Sequence, residues 1–177
     1  MKHLVAIAGA AALLTGCATT NDGMHSMAAG DDVATATLRT ADGTEVGKVM
    51  AMKMGDDLHV QLSAYGMPAG THGAHIHQTG RCDAPDFTTA GDHWNPTNQQ
   101  HGTMDDMPGA HAGDLPNLVI GTDGSGSIDA TTPEGSFAQL LDQDGAAFIV
   151  HRDPDDMRTD PSGNAGPRIA CGVFSRS

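Results

Sequence analysis

Residues 33–64, VATATLRTADGTEVGKVMAMKMGDDLHVQLSA, decide the fold of this chain, because apolar and polar side chains alternate through them between short turns. A period of two is typical of strands that bury one face. The segment predicts strands at Val33–Leu38, Glu45–Met54 and Leu58–Leu62, with turns at Asp42-Gly43 and Gly55-Asp56-Asp57. The chain therefore begins as a series of short strands joined by tight turns.

Three methionines, Met50, Met52 and Met54, share one face of the second predicted strand because they are spaced by two. Thioethers bind soft copper ions, but methionines at this spacing are more often core or half-buried strand residues, and we predict that role. His59 falls on the side of its strand opposite the apolar residues, so it is predicted to be a surface histidine.

The β pattern continues through the rest of the chain. Five further runs predict strands: 71–77, Leu115–Ile120, Ser127–Ala130, Ala146–His151 and Pro167–Phe174. Residues 135–141 predict a short turn of helix or a loop. We find no internal repeat and no phosphate-binding or dinucleotide-binding motif.

The composition limits the class of protein. A chain of 177 residues suggests one main domain, and an aromatic content of 3% means a lean core of Val, Leu, Ile, Ala and Met. A helical bundle would have more Leu and fewer than 23 Gly and 9 Pro. The net charge of −13 excludes nucleic acid and anionic membrane surfaces as partners.

One stretch, HWNPTNQQHGTMDDMPGAHAGD at 93–114, is rich in Gly, Pro, Asn and Asp, and predicts a long loop. Loops this long inside a compact domain are usually functional or disordered. The stretch contains three histidines and a closing aspartate, His93, His101, His111 and Asp114. Three imidazoles and a carboxylate suit a closed tetrahedral zinc site.

Further histidines flank this loop. His75 and His77 point to the same face if their segment is a strand, and His151 ends an apolar strand. Together with the loop ligands they predict a two-metal site of six histidines and one aspartate. His72 has odd spacing and falls on the other face, so we predict a structural role in which it hydrogen-bonds to backbone.

The N-terminus reads as a targeting segment, with Lys2 before an apolar stretch at 4–14 that is too short to span a bilayer. Leu14-Thr15-Gly16-Cys17 resembles a bacterial lipobox, so residues 1–17 are predicted to be a lipoprotein signal in which Cys17 is lipidated. The alternative is an ordinary secretory signal with an incidental Cys17.

Residues 18–32 are small and polar and predict a flexible tether. Its Met24, His25 and Met27 could bind copper as soft ligands, although we interpret them as part of the linker. The domain proper is predicted at 33–177. Export implies an oxidising compartment, where Cys82 and Cys171 are an even pair and a candidate disulfide.

Six motifs taken together resemble the copper–zinc superoxide dismutases. They are HGAHIH at 72–77, AGDHWNP at 90–96, HG at 101–102, HAGD at 111–114, VH at 150–151 and GNAGPRIACG at 163–172. The resemblance covers Val33 to Phe174. The short interval from His77 to Cys82, the lipobox and the HAGDLPN form are similar to the bacterial, exported branch of the family.

The resemblance implies a fold, two metals and a set of site residues. The implied fold is all-β, a flattened Greek-key antiparallel β-barrel of sandwich-type architecture with two long functional loops. Copper would be held by His75, His77, His93 and His151. Zinc would be held by His93, His101, His111 and Asp114, so that His93 bridges both metals. Asp155 would link a copper-side to a zinc-side histidine, Cys82 and Cys171 would form a disulfide, and Arg168 would sit at the channel mouth above copper.

The implied activity is dismutation of superoxide to dioxygen and hydrogen peroxide, by ping-pong one-electron cycling of copper bridged to a structural zinc. Arg168 would attract the anionic substrate and His93 would carry a proton. Many relatives carry a steering lysine near Ser162, where this chain has Pro161, so Arg152 or Arg158 is expected to substitute. The protein would be periplasmic and held to a membrane only through a lipid on Cys17. The resemblance allows a homodimer or a monomer.

Three other functions would each require a different set of residues. A copper-binding or storage protein with a dismutase-like fold would be favoured by the loss of a copper ligand or of Arg168, yet all are present. A copper-only dismutase would lack the zinc residues. A purely structural zinc module would leave His75, His77 and His151 unexplained.

Overall fold

The computed structural model describes residues 32–102, 110–132 and 135–177. The strands within these residues are β1 (Val33–Arg39), β2 (Glu45–Met54), β3 (Asp57–Ala64), β4 (Gly70–His72), β5 (Ala74–His77), β6 (Leu118–Ile120), β7 (Gly126–Thr132), β8 (Ala147–His151), β9 (Arg168–Val173) and β10 (Ser175–Arg176). A 3₁₀ turn lies at Thr88–Ala90 and one short helix, α1, at Phe137–Leu140.

Every strand pairing in the described residues is antiparallel. The main sheet has the order β5-β8-β9-β1-β2-β3-β7, with β10 also pairing with β1, and β4 pairs separately with β6. Strands far apart in sequence therefore lie side by side, as β3 does with β7 and β5 with β8. The predicted all-β Greek-key barrel is confirmed.

Each predicted strand overlaps a strand of the structure, although β6 begins at Leu118, three residues after the predicted Leu115, and the run at 71–77 crosses a change of sheet. β2 begins and ends at the predicted residues. The single strand predicted at 71–77 is wrong, because Gly73 separates β4 from β5. The N–H of Gly73 donates to Asp153 and its carbonyl accepts from His151, and a Cβ there would lie 2.7 Å from that of Ala165. This glycine turns β5 into the main sheet, which places its histidines.

The core fills the inner face of the sheet, where Val49 and Ala51 of β2 are buried. The methionines of β2 alternate with them and face outward. Met50 is 36% exposed and Met54 57%, so the predicted core or half-buried role is wrong for these two, while Met52 is partly buried. His59 lies on the same outer face, as predicted, with Nε2 3.3 Å from Asp129.

The short helix in segment 135–141 is stabilised at its N-terminus by a capping box. Ser136 accepts from the backbone N–H of Gln139, whose side chain accepts from the N–H of Ser136 in return. Within the described residues, no helix has the length and apolar character needed to cross a membrane. The predicted signal at 1–17 lies outside the described residues, as does the tether at 18–32 apart from Asp32.

Candidate metal centre

Three chain segments deliver the predicted ligands to one place. β5 provides His75 and His77, and its antiparallel neighbour β8 ends at His151. The long loop provides the other four, and two isolated bridges, His75 with Asp114 and His77 with His93, hold that loop beside β5. All seven predicted ligands are buried.

The first group is the four-histidine set, made of His75, His77, His93 and His151, whose ligand atoms lie within 4.8 Å of one another. In each ring one nitrogen is buried without a hydrogen-bond partner: Nδ1 of His75 and Nε2 of His77, His93 and His151. Buried polar atoms without partners are rare in folded proteins. Four of them converging is the arrangement expected of ligands for a soft or borderline metal ion.

The other nitrogen of three of these rings is held by a hydrogen bond. His77 donates from Nδ1 to the carbonyl of Gly91 at 2.8 Å, and His151 from Nδ1 to Gly166 at 2.9 Å. His75 donates from Nε2 to Asp155 at 2.5 Å. These bonds fix the tautomer of each ring, so that the remaining nitrogen presents a lone pair.

The second group is the three-histidine–aspartate set, made of His93, His101, His111 and Asp114. Nδ1 of the three rings lies 2.8, 3.1 and 3.3 Å from a single oxygen, Oδ1 of Asp114. Ligands of a tetrahedral zinc ion with bonds of about 2.0–2.1 Å stand roughly 3.3 Å apart. The residues present therefore fit a zinc ion.

His93 belongs to both sets and uses a different nitrogen for each. Nδ1 faces Asp114, and Nε2 is one of the unpartnered atoms of the four-histidine set. The ring centroid of His93 lies 4.0 Å from that of His75 and 5.2 Å from that of His101. One imidazole thus stands between the two sites.

Asp155 connects the sets a second time. Its Oδ2 accepts from His75 and its Oδ1 accepts from Nε2 of His101 at 3.0 Å. The side-chain amide of Asn117 makes two hydrogen bonds to the backbone of Asp155. It donates to the carbonyl at 2.9 Å and accepts from the N–H at 2.8 Å. Gly163, at a φ of 61°, leaves the carboxylate its space, because a Cβ there would collide with Oδ1.

Burial keeps the four-histidine set neutral. Loss of solvation lowers the pKa of His75 to about 3 and that of His151 to about 4, although Asp155 and Gly166 respectively oppose the change. Burial also lowers the pKa of His77 and His93. These rings are therefore ready to act as ligands at neutral pH without first losing a proton.

The three-histidine–aspartate set behaves differently. Burial lowers the pKa of His101, but the carboxylates of Asp114 and Asp155, which accept from the protonated ring, outweigh burial and raise the pKa to about 10. Burial raises the pKa of Asp114, but hydrogen bonds from His101, His111 and His93 outweigh it and lower the pKa below its usual range. Without metal, this set consequently holds a proton on His101.

His72 has the predicted structural role. Its Nδ1 lies 3.0 Å from the carbonyls of both His151 and Arg152, and its Nε2 lies 3.0 Å from that of Pro68. The ring therefore ties the end of β8 to the turn before β4, and it belongs to neither group of converging ligand atoms.

Arg168 lies at the start of β9, half-buried, and two backbone carbonyls orient it. Its guanidinium donates to Phe87 at 2.7 Å and to Gly91 at 2.6 Å. The Gly91 carbonyl also accepts from His77, so one oxygen positions both the arginine and a member of the four-histidine set. Burial is the largest influence on the pKa of His151, followed by the Gly166 hydrogen bond and the charge of His93. The charge of Arg168 also lowers this pKa, so the arginine acts electrostatically on the four-histidine set.

The loop that carries these carbonyls is covalently anchored. Cys82 and Cys171 form a disulfide with Cα atoms 5.7 Å apart, as predicted. Cys171 lies on β9 three residues beyond Arg168. The disulfide thus fastens the loop to the strand whose arginine the loop orients.

Three residues of the site were missed by the sequence reasoning: Gly91, Asn117 and Gly163. Gly91 and Gly163 stand in the motifs AGDHWNP and GNAGPRIACG, and their φ values of 74° and 61° require glycine-like freedom. Asn117 directly follows the zinc-type HAGDLP stretch. An asparagine next to a ligand motif was the available signal. Its hydrogen-bond partner, Asp155, lies 38 positions away and could not be identified from the sequence.

Comparisons with known proteins agree with this geometry. The family model described as copper/zinc superoxide dismutase matches residues 45–174. The superoxide dismutase-like protein YojM of Bacillus subtilis is 43% identical over 140 residues, 75% of this chain and 71% of that protein. Superoxide dismutase [Cu-Zn] 1 of Aquifex aeolicus is 39% identical over 137 residues, covering 74% and 80%.

Solved structures give the same result. The Cu/Zn superoxide dismutase from Brucella abortus superposes with a TM-score of 0.67 at 29% identity, covering 81% of this chain and all of that one. The family match extends across β2 to the end of β9, and so includes both metal sets, Asp155, Arg168 and the disulfide. The chain is a member of the copper/zinc superoxide dismutase family.

Proposed function

We propose that the four-histidine set binds copper, that the three-histidine–aspartate set binds zinc, and that this pair carries the dismutation of superoxide. The reaction consumes two superoxide anions and two protons and yields one dioxygen and one hydrogen peroxide. The observation that supports the assignment is the convergence of unpartnered buried imidazole nitrogens into two groups that share His93.

When bound, copper supplies a one-electron redox couple and zinc a redox-inert positive charge. Within this chain, His93 presents one nitrogen to each set, and its Nε2 is the atom that can hold and release a proton beside the reacting anion. Arg168 adds a fixed cation and donors at the entrance to the four-histidine set. Asp155 keeps His75 and His101 in the tautomers that leave Nδ1 free.

The direct test is a superoxide-consumption assay on copper-loaded protein with a metal-free control. We expect about one copper and one zinc per chain and activity only in the loaded protein. Copper uptake without superoxide consumption would instead favour a copper-binding or storage protein. Zinc in one site with no copper uptake would contradict the enzyme assignment.

We propose that residues 1–17 direct export and that a lipid on Cys17 anchors the protein to a membrane by way of the tether. The disulfide between Cys82 and Cys171 supports an oxidising, exported setting. In the producing cell, Cys17→Ser should move the protein from the membrane fraction to the soluble periplasmic fraction. An unchanged distribution would exclude the anchor and leave a plain secretory signal.

Replacing Arg168 by Ile should lower the bimolecular rate with superoxide about tenfold at low salt, because the site loses its local cation. Asp92 and Asp86 lie close enough to raise the pKa of Arg168 against the lowering by burial, so no surplus of positive charge surrounds it. The measurement is the rate against ionic strength at equal metal content. An unchanged rate at low salt would exclude attraction of the substrate by Arg168.

Arg152 offers the matched control. Its guanidinium already pairs with Asp153 at 3.0 and 2.9 Å on the surface, so Arg152→Ile should change the rate little.

Arg158 is exposed, and no ion pair to it is found in the described part of the chain. We therefore propose Arg158, and not Arg152, as the substitute for the steering lysine of relatives.

Zinc binding to the metal-free protein should release about one proton per chain at about pH 7.5, because zinc displaces the proton held on His101. The pKa of His101 is raised from 6.5 to about 10, so the stability it contributes is complete below 6.5 and is lost as pH rises through about 10. Titration calorimetry in two buffers of different ionisation enthalpy measures the release. A value near zero would contradict the protonated cluster.

A further inference from the structure

Trp94, the only tryptophan of the chain, follows the shared ligand His93 and is only 5% exposed. Its backbone N–H donates to the carbonyl of Ile76 at 2.8 Å, and its carbonyl accepts from the N–H of Gly113 at 2.8 Å. Gly113 in turn accepts from the N–H of Ile76 at 2.9 Å. These three residues form a closed cycle of backbone hydrogen bonds, which we call the backbone triangle.

Each corner of the backbone triangle lies next to predicted metal ligands. Ile76 stands between His75 and His77, Trp94 directly follows His93, and Gly113 directly precedes Asp114. The three ligand-bearing segments therefore meet at this point. Gly113 is required there, because a Cβ would collide with the carbonyl of Ile76 and lie 3.0 Å from the backbone nitrogen of Trp94.

The indole ring of Trp94 packs against Gly135, which lies outside the backbone triangle. Its outermost atoms, Cη2 and Cζ3, pack so closely on Gly135 that a Cβ at that position would collide with both. The same Cβ would lie 3.0 Å from that of Ala112, next to Gly113. The ring thus packs on the segment before α1, which also lies against Ala112 in the segment that carries His111 and Asp114.

We infer that Trp94 is a positioning residue, which through the backbone triangle sets the alignment of the two metal-ligand sets. This inference rests on the ligand assignment proposed above. The contact of Trp94 with Gly135 is distinct from the two side-chain connections between the sets, which are the His93 ring and Asp155. Loss of that contact lets the segment 111–114 move relative to β5, while every ligand side chain remains present.

Exchanging the sizes of the two side chains at the contact between Trp94 and Gly135 tests this role. Trp94→Phe removes the atoms that touch Gly135 and should lower zinc affinity about tenfold, the lower end of the loss seen when groups supporting ligands are removed. Gly135→Ala pushes the intact indole and should have a similar effect. In the double variant the added methyl occupies the space that the smaller ring leaves, so most of the zinc affinity should return.

Two readouts separate positioning from simple core packing. Zinc affinity is measured by chelator competition on metal-free protein, and the copper geometry by the visible absorption of Cu(II) in the zinc-loaded protein. Both should change in each single variant and recover in the double variant. Phe174→Leu, which shortens a buried aromatic side chain that follows the far end of β9, should lower the melting temperature without moving either readout.

The outcomes are distinguishable from a failure of the proposed function. If the unaltered protein takes up no zinc, the ligand assignment itself is wrong. If it binds zinc normally and the single variants match it in both readouts, Trp94 only fills the core. If the single variants lose affinity and the double variant loses the sum of both, the contact with Gly135 does not carry the effect, and the inference is overturned.

Discussion

Replacing Asp155 by Ala should lower zinc affinity about 100-fold and abolish most of the dismutase activity. The carboxylate fixes one ring of each metal set, because it accepts from His75 on one oxygen and from His101 on the other. Without it either ring can take the tautomer with the proton on Nδ1, and that tautomer is not a ligand at that atom. Both sites therefore weaken together.

The neighbouring Asp156 gives a matched control. It is an exposed carboxylate in the same loop, and its bonds to Thr159, Arg158 and Asn164 stay within that loop. Asp156→Ala should leave zinc affinity near the original value, whereas Asp155→Ala should not. Chelator competition on the metal-free proteins measures the difference. Zinc binding by Asp155→Ala within about threefold of the unaltered protein would show that the two rings are fixed by packing alone.

The strands and the ligand residues could be predicted because their signals are local. The alternation in 45–54 defines β2 completely, and the spacing of two places His75 and His77 on one face of β5. The ligand types predicted a two-metal site, the family resemblance divided the residues into the two sets, and the structure brings all seven residues together. The strand and face predictions need only near neighbours in sequence, whereas the division into sets depended on motifs spread along the chain.

The features that could not be predicted depend on contacts between distant segments. The break at Gly73 follows from the close approach of Ala165, and the outward face of Met50 and Met54 follows from which side of β2 packs on the core. A period of two identifies two faces without saying which is inside. In the same way, the double hydrogen bond of Asn117 to Asp155 joins positions 38 residues apart.

The proposed role of Arg168 in attracting substrate has to be reconciled with the contacts that hold the arginine. The carbonyls of Phe87 and Gly91 point their partial negative charge at the guanidinium and fix it, and Asp86 and Asp92 lie within electrostatic reach. In a chain with a net charge of −13, rigid placement of one cation matters more than overall charge. The proposed role of Arg168 therefore depends on the loop that supplies these carbonyls.

Replacing Cys82 and Cys171 together by serine should destabilise the protein by roughly 4–5 kcal/mol, because the disulfide closes a long loop in the unfolded chain. The two cysteines are 89 residues apart in sequence. For a protein of this size the loss corresponds to a melting temperature lower by roughly 10–20 °C. Scanning calorimetry of the metal-loaded proteins measures it.

The same double variant should also lose activity beyond its loss of stability. Without the disulfide, the segment of Phe87 and Gly91 is no longer fastened to β9, so both the orientation of Arg168 and the hydrogen bond of His77 to Gly91 weaken. Assays well below the melting temperature, at equal metal content, separate the two effects. Reductant should reproduce both effects in the unaltered protein and change nothing in the serine variant. A melting temperature lowered by less than about 3 °C would mean that the folded loop gains little from its covalent anchor.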